Sequence, residues 1–158
     1  YVQWLENHLS NAEQIFAIDV HTGLGEKGVD TLLVDLPSAD PHFSTLQQQF
    51  GERVASWDAD ASVAYQIHGG HPNMLPRVLP GTQVQFLTQE FGTIAGLKVL
   101  HALREENRWH QFGSGTLDHP AKQRLLAAFR PNERSWEKSI IERGSALYDQ
   151  VKTVLFRK

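Results

Sequence analysis

A short apolar run, from Ile15 to Val20, is followed at once by His21 and then by Thr22-Gly23-Leu24-Gly25. The run is typical of a buried strand, and the glycines predict the turn that ends it. In α/β folds, polar functional groups gather at the carboxyl ends of strands. The pattern therefore favours an α/β fold and makes His21 the first candidate functional residue.

A second polar residue stands in the same kind of position later in the chain. Gln83 to Thr88 alternates polar and apolar residues, which predicts a strand with one face more buried than the other. Continued to Glu90, the alternation places a carboxylate on the apolar side. Burying a carboxylate is costly unless it is paired or functional. Two interpretations stay open: a general base, or a salt bridge to Arg104 or Lys98.

The remaining pattern completes an α/β order of elements. It predicts a helix that is already under way at Tyr1 and ends at Ser10 and Asn11, and a second strand over 31–36. Residues 40–80 are expected to be a long connecting or functional region, with weak helical periodicity only around Phe43, Leu46 and Phe50. The last third has three apolar stripes at helical spacing, which predict three helices. The first stripe, Ile94, Leu97, Leu100 and Leu103, is expected to lie in the core.

Composition excludes several classes of protein. At 158 residues with a net charge of −3, the chain is expected to form one domain, and its scattered Lys and Arg argue against nucleic acid. It lacks both the roughly 18 consecutive apolar residues of a membrane span and a signal-peptide pattern, so no segment is expected to target a membrane. The compartment stays open, with cytoplasm as the default. Cysteine is absent, so a transition metal would need histidine and carboxylate ligands.

The context of His21 strengthens its candidacy as a metal ligand. Asp19 lies two residues earlier on the same strand, and a metal-bound imidazole commonly needs an acceptor for its other N–H. The alternative for Asp19 is a simple turn or cap acceptor. His68 and His71 are separated by two glycines and followed by a proline, which indicates a flexible turn rather than a metal site. His101 and Glu105, four residues apart, favour a solvated helix pair.

Two segments together resemble a known family. Ile18-Asp19-Val20-His21-Thr22-Gly23-Leu24-Gly25 and the later Leu87-Thr88-Gln89-Glu90-Phe91-Gly92-Thr93 are similar to the C-terminal half of zinc carboxypeptidase-like proteins of the M14 class, in their uncharacterised DUF2817 branch. The run from Val99 to Asn107 extends the similarity to nearly the whole chain. The resemblance implies an α/β fold with a mixed sheet flanked by helices, of the zinc-dependent exopeptidase (carboxypeptidase A-like) architecture.

The resemblance also implies a mechanism and a set of residues. His21 matches the late zinc ligand, Glu90 matches the glutamate that acts as general base, and Asp19 would support His21 from behind. The family's first two ligands, a His-x-x-Glu pair, have no counterpart here, because the sequence has no histidine with Glu or Asp three residues later. They and the arginine that receives the substrate's carboxylate would lie upstream of Tyr1. Residues 1–158 are therefore expected to be the C-terminal portion of a single catalytic domain.

The implied activity is hydrolysis of an amide bond with one Zn²⁺ ion in the complete protein and little activity in this segment alone. The expected substrate is a peptide; the alternative is an N-acyl amino acid, cleaved by a deacylase of the same superfamily. A non-catalytic interaction domain that retains the fold is the rival from another class. The expected partner is the missing N-terminal half or, failing that, a second copy that pairs through the exposed sheet.

Overall fold

A computed structural model of the chain describes residues 1–56 and 70–156, which form an α/β fold with six helices and four strands. The described elements, in chain order, are α1 (Val2–Leu9), β1 (Gln14–Lys27), β2 (Asp30–Val34), α2 (Pro41–Phe50), β3 (Val54–Ser56), α3 (His71–Val78), β4 (Gln83–Gly92), α4 (Gly96–Phe112), α5 (Pro120–Phe129) and α6 (Arg134–Leu155). None of the described helices is long and apolar enough to cross a membrane.

The four described strands form one open, mixed sheet in the order β1-β4-β2-β3. The parallel pair β2 and β3 is in register from Leu32 opposite Val54 to Val34 opposite Ser56. β4 has a neighbour on both sides, whereas β1 stands at one end of this order. The α/β class with a mixed sheet is confirmed, but β1 is not the fully buried strand expected from its apolar run. Its run is half-buried and ends in Val20, which is 56% exposed.

The chain divides into two compact units. The first comprises Tyr1–Asp19, Leu32–Gln89 and Ala146–Lys158, and the second comprises Val20–Thr31 and Glu90–Ser145. The first unit has an apolar core whose buried side chains come from α2, β2, β3, β4 and α6. Removal of these side chains from water is the main favourable contribution to folding of this unit. Its buried members are Leu32, Val34, Phe43, Leu46, Phe50, Val54, Leu87, Leu147 and Val151.

The second unit is held by helix packing and by polar contacts to strand ends. α4 packs against α5, and the buried residues of these helices are mostly small. Asp30, at the start of β2, is 1% exposed and accepts a hydrogen bond of 2.9 Å from Arg143 of α6. Because an unpaired buried carboxylate is costly, this ion pair fixes α6 to the beginning of β2.

The glycines that follow His21 do not form the expected turn. β1 continues through Gly23 and Gly25 to Lys27, so His21 lies within the strand and not at its end. Gly23 and Gly25 have φ values of 146° and 106°, which L side chains rarely adopt. Glycine therefore lets β1 continue through a distorted stretch that another residue would interrupt.

The expected long connecting region contains regular structure. α2, β3 and α3 all fall within residues 40–80. α2 begins with Asp40 as its N-cap, whose side chain accepts a 2.8 Å hydrogen bond from the amide of His42, followed by Pro41 in the first turn. His71, expected in a flexible turn, is the first residue of α3; its suggested partner His68 lies outside the described residues.

The first apolar stripe of the last third is not in the core. Leu97, Leu100 and Leu103 are 83%, 52% and 41% exposed, whereas Val99 and Ala102 of the same helix are buried. A spacing of three residues falls short of a helical turn, so successive members of such a stripe drift around the helix. α4 turns its smaller residues inward because it packs closely against α5. The third stripe, which lies on α6, faces inward as expected: Trp136, Leu147 and Val151 are buried, and Ile140 and Val154 are half-buried.

Candidate functional site

Glu90 is a buried carboxylate in the second half of β4. The side chains from Leu87 to Phe91 are all buried, and Glu90 itself is 7% exposed. One carboxylate oxygen, Oε1, accepts a hydrogen bond of 3.0 Å from the backbone N–H of Leu24 in β1. This bond fixes the carboxylate and leaves the second oxygen, Oε2, for another contact.

The second oxygen of Glu90 faces His21. Nδ1 of His21 lies 3.9 Å from Oε2 of Glu90, which is within ion-pair range but too long for a hydrogen bond. The side chain of His21 is about half exposed, so solvent reaches the imidazole while the carboxylate stays buried. The structure thus brings together the two residues that the sequence singled out. Glu90 does not pair with Arg104 or Lys98 among the described residues, so the salt-bridge interpretation takes His21 as the partner instead.

Burial raises the pKa of the Glu90 carboxyl above its ordinary value, while the hydrogen bond from Leu24 and the nearby His21 act in the opposite direction. The desolvation effect is the largest of the three. A carboxylate made more basic in this way accepts a proton more readily near neutral pH.

Gly23 allows β1 to come close to Glu90. A Cβ atom at this position would lie 2.9 Å from Cε1 of Phe129 and 3.7 Å from Oε1 of Glu90. The first distance is shorter than real Cβ contacts, so any side chain would displace the Phe129 ring or the strand. The next residue, Leu24, supplies the N–H that holds Glu90. Gly23 therefore shapes the backbone that positions the carboxylate.

Two threonines fix this stretch of β1 from both sides. Thr93, which is fully buried, donates a hydrogen bond of 3.0 Å to the carbonyl of Gly23. Thr22 donates one of 2.7 Å to the carbonyl of Phe129, at the end of α5. None of these supporting residues is marked as functional by the sequence pattern. A glycine inside a strand pattern does signal close approach of another group, so Gly23 could have been found; the threonines gave no such signal.

The end of β4 is fixed by backbone contacts around Gly92. Its carbonyl accepts hydrogen bonds from the amide of Gly28 at 3.0 Å and from the indole N–H of Trp136 at 2.9 Å. Its own amide donates to the carbonyl of Val29 at 3.0 Å. A side chain on Gly92 would collide with the carbonyl of Glu26. Glu90 is therefore only two residues from a rigid point in the backbone.

Asp19 lies beside a different histidine. Its Oδ2 is 3.7 Å from Nδ1 of His71, and both side chains are partly exposed. The ring of His71 also packs against Tyr1, with centroids 5.4 Å apart. The role expected for Asp19 as an acceptor behind His21 stays a prediction.

The pair formed by His101 and Glu105 is a surface contact. Nε2 of His101 is 3.7 Å from Glu105 one helical turn away, and the histidine side chain is largely exposed. Glu105 also accepts a hydrogen bond of 2.8 Å from Arg124. This agrees with the expected solvated pair.

The described residues contain no group of three or more His, Cys, Asp or Glu side chains that could together hold a metal ion. His21 supplies one imidazole, and catalytic zinc is normally held by three protein ligands. Within the described part of the chain, the arrangement thus offers one imidazole and a buried carboxylate held by a backbone hydrogen bond.

Comparison with known proteins supports the DUF2817 part of the resemblance. A family described as "Protein of unknown function (DUF2817)" matches residues 2–143. The chain belongs to the DUF2817 family. The match covers His21, Glu90 and the threonines and glycines around them, so the whole candidate site lies within the DUF2817 region. Neither a curated protein nor a solved structure matches the chain.

Proposed function

We propose that this member of the DUF2817 family supplies part of the active site of a zinc-dependent, carboxypeptidase-like hydrolase of amide bonds. One observation carries the proposal: Glu90 is buried, held through Oε1 by the backbone and directed through Oε2 at His21. A buried carboxylate with one oxygen fixed and the other facing a half-exposed imidazole is the arrangement that a general base beside a metal ligand requires.

The donor chemistry of the site fits zinc in part. Imidazole nitrogen is a common zinc ligand, and a nearby carboxylate that is not itself a ligand suits the base of a zinc hydrolase. One imidazole does not hold the ion against water. In this proposal the other two ligands are the His-x-x-Glu pair implied by the M14 resemblance, and they come from residues upstream of Tyr1.

The residues of this chain then have separate tasks. Zinc, when bound, supplies Lewis-acid polarisation of the scissile carbonyl. Glu90 accepts a proton on Oε2 from the attacking water and returns it to the leaving nitrogen. The N–H of Leu24 keeps Oε1 in place, so that Oε2 stays on the side of His21. Thr93 and Gly23 maintain the strand geometry on which this bond depends.

The experiment uses a longer form of the protein that carries the residues upstream of Tyr1. Zinc content after dialysis is measured for that form, for its His21→Ala variant and for the present chain. We expect near-stoichiometric zinc in the longer form and little in the other two. Stoichiometric zinc in the His21→Ala variant would show that His21 is not a ligand.

Activity separates the two substrate classes. The longer form is assayed with peptides that have a free carboxyl terminus and with N-acyl amino acids. Hydrolysis of the peptides supports the carboxypeptidase-like proposal, and hydrolysis of the acylated amino acids alone supports the deacylase. A zinc-loaded protein that cleaves neither would favour the non-catalytic interaction domain and reject the proposed hydrolase.

A further inference from the structure

The first unit contains a cavity of about 450 Å³ that has no part in the proposed reaction. It is lined by the end of β2, by α2 and α3, and by residues 83–86 at the beginning of β4. Its volume lies within the roughly 300–1,000 Å³ that is usual for small-molecule sites. The cavity is therefore large enough for a small organic ligand.

The inner wall of the cavity is apolar. Val34 and Leu46 are buried members of the core of the first unit, and Val84 and Phe86 of β4 are half-buried beside them. Apolar surface of this kind gains free energy when an apolar ligand displaces water from it. The wall therefore favours a ligand with an aromatic or branched aliphatic body.

Polar side chains in the lining remain available to a ligand. Asp35 accepts a hydrogen bond of 2.7 Å from the amide of Asn73 through Oδ2, and its second oxygen has no protein donor among the described residues. The side chains of Gln85 and His42 likewise have no hydrogen-bond partner in the part of the chain that the structure describes. Gln85 is half-buried, so its amide can serve as a donor and an acceptor next to the apolar wall.

The charge of the lining selects among ligands. Asp35 is the carboxylate of the described lining, which includes neither lysine nor arginine. Asp35 is an exposed carboxylate in the lining and has no cationic partner among the described residues, so it attracts positive charge and repels negative charge. We propose that this cavity binds small organic cations: molecules with an apolar body and a primary ammonium group that pairs with Asp35. The inference is independent of the proposed hydrolase activity.

The test uses three probes of similar size and different charge. Phenethylamine, 2-phenylethanol and phenylacetate are titrated into the chain at low salt and pH 8, where an ordinary histidine is neutral. Binding is followed by the amide NMR signals of Leu46, Val84 and Phe86. We expect these signals to shift at millimolar concentrations of the amine. The amine should bind at least about fivefold more tightly than the alcohol, and the acid most weakly.

Variants show whether the carboxylate and the cavity are responsible. Asp35→Asn can still accept the hydrogen bond from Asn73, and it should reduce the affinity for the amine to that of the alcohol. The matched control, Asp149→Asn, changes an exposed carboxylate of α6 that does not line the cavity, and it should leave all three affinities unchanged. Thr45→Trp places a large side chain at the mouth and should abolish binding of both the amine and the alcohol.

Two results would overturn the inference. If none of the probes shifts the signals of Leu46, Val84 and Phe86, the cavity is not a binding site. If Asp35→Asn leaves the preference for the amine intact, the site does not select cations through Asp35. Folding of each variant is checked by the dispersion of the same spectra. Gln85→Leu is a second change in the lining, which removes an available polar group without altering the charge.

Discussion

β1 and β4 each carry one residue of the candidate site, but they present it in opposite surroundings. β4 has strands on both sides, and its residues from Leu87 to Gly92 are buried. β1 stands at one end of the described sheet, and both Val20 and His21 are exposed. The carboxylate of Glu90 is therefore shielded from solvent, whereas the imidazole of His21 is accessible to it. Burying a carboxylate costs free energy, so the burial of Glu90 needs a structural or chemical explanation. The exposure of His21 needs none, and interest in this histidine comes from its position beside Glu90.

The largest expected difference concerns core packing. Phe91→Ala in β4 removes a fully buried ring and should lower the free energy of unfolding by about 3–5 kcal/mol. Val20→Ala in β1 removes an exposed side chain and should cost less than about 1 kcal/mol. Urea denaturation of the two variants measures both values. Similar losses would mean that the exposed side of β1 is covered in solution.

The next effect concerns the chemistry of Glu90. Glu90→Gln in the longer form should lower kcat at least about 100-fold, because the variant cannot accept a proton. Zinc content should stay unchanged, since Glu90 is not proposed as a ligand. Turnover within a few-fold of the unmodified protein would remove Glu90 from the mechanism. Loss of folding in this variant would instead favour a structural ion pair with His21.

The close approach of β1 to Glu90 can be tested at Gly23. Gly23→Ala introduces a Cβ against the Phe129 ring at a φ that alanine rarely adopts, and it should cost about 1–3 kcal/mol of stability. Gly81→Ala is the matched control, because its Cβ would meet no atom within 4 Å; its change should stay within about 0.5 kcal/mol. Equal effects at both positions would contradict the packing described around Gly23.

The smallest effect is a dependence of stability on pH. Burial raises the pKa of Glu90 in the folded chain, so folding favours the protonated carboxyl. Relative to Glu90→Gln, the metal-free chain should be most stable below the unfolded pKa of about 4.3, and it should lose this advantage as the pH rises through the folded pKa. The slope cannot exceed about 1.4 kcal/mol per pH unit for one proton. Unfolding free energies that differ by a constant amount between pH 4 and pH 8 would contradict the raised pKa.

Local sequence patterns are most informative for elements in which the apolar residues are also the buried ones. β4 forms a strand where the alternation predicts one, but the expected difference between its two faces is wrong, since every residue from Leu87 to Gly92 is buried. α6 buries most of the apolar stripe that marks it as a helix. α2 was indicated weakly by the spacing of its apolar residues, and Asp40 followed by Pro41 is a further signal of a helix start. α3 is difficult to predict from sequence, because Pro76 lies inside it and proline normally argues against a helix interior.

Tertiary contacts account for what local patterns missed. In the sequence, Gly23 and Gly25 predict a turn. In the structure both lie within β1, where Phe129 is next to Gly23 and Gly92 is next to Gly25. Leu97 and Leu100 are of a residue type usually found in the core, but both are exposed. α4 packs closely on α5 and buries Val99 and Ala102 instead. For the site, sequence identified His21 and Glu90 and could not identify Leu24, because its contribution is a backbone N–H that every residue except proline carries.

The contact between Trp136 and Gly92 also gives the second unit an optical reporter. The indole is 7% exposed, and its N–H is bound to the backbone carbonyl two residues beyond Glu90. Its fluorescence emission therefore depends on whether α6 remains docked against the end of β4. In a variant whose other three tryptophans, Trp4, Trp57 and Trp109, are replaced by phenylalanine, a red shift of the emission would signal that solvent has reached this junction. The state of the candidate site could then be followed in real time, without substrate and without metal.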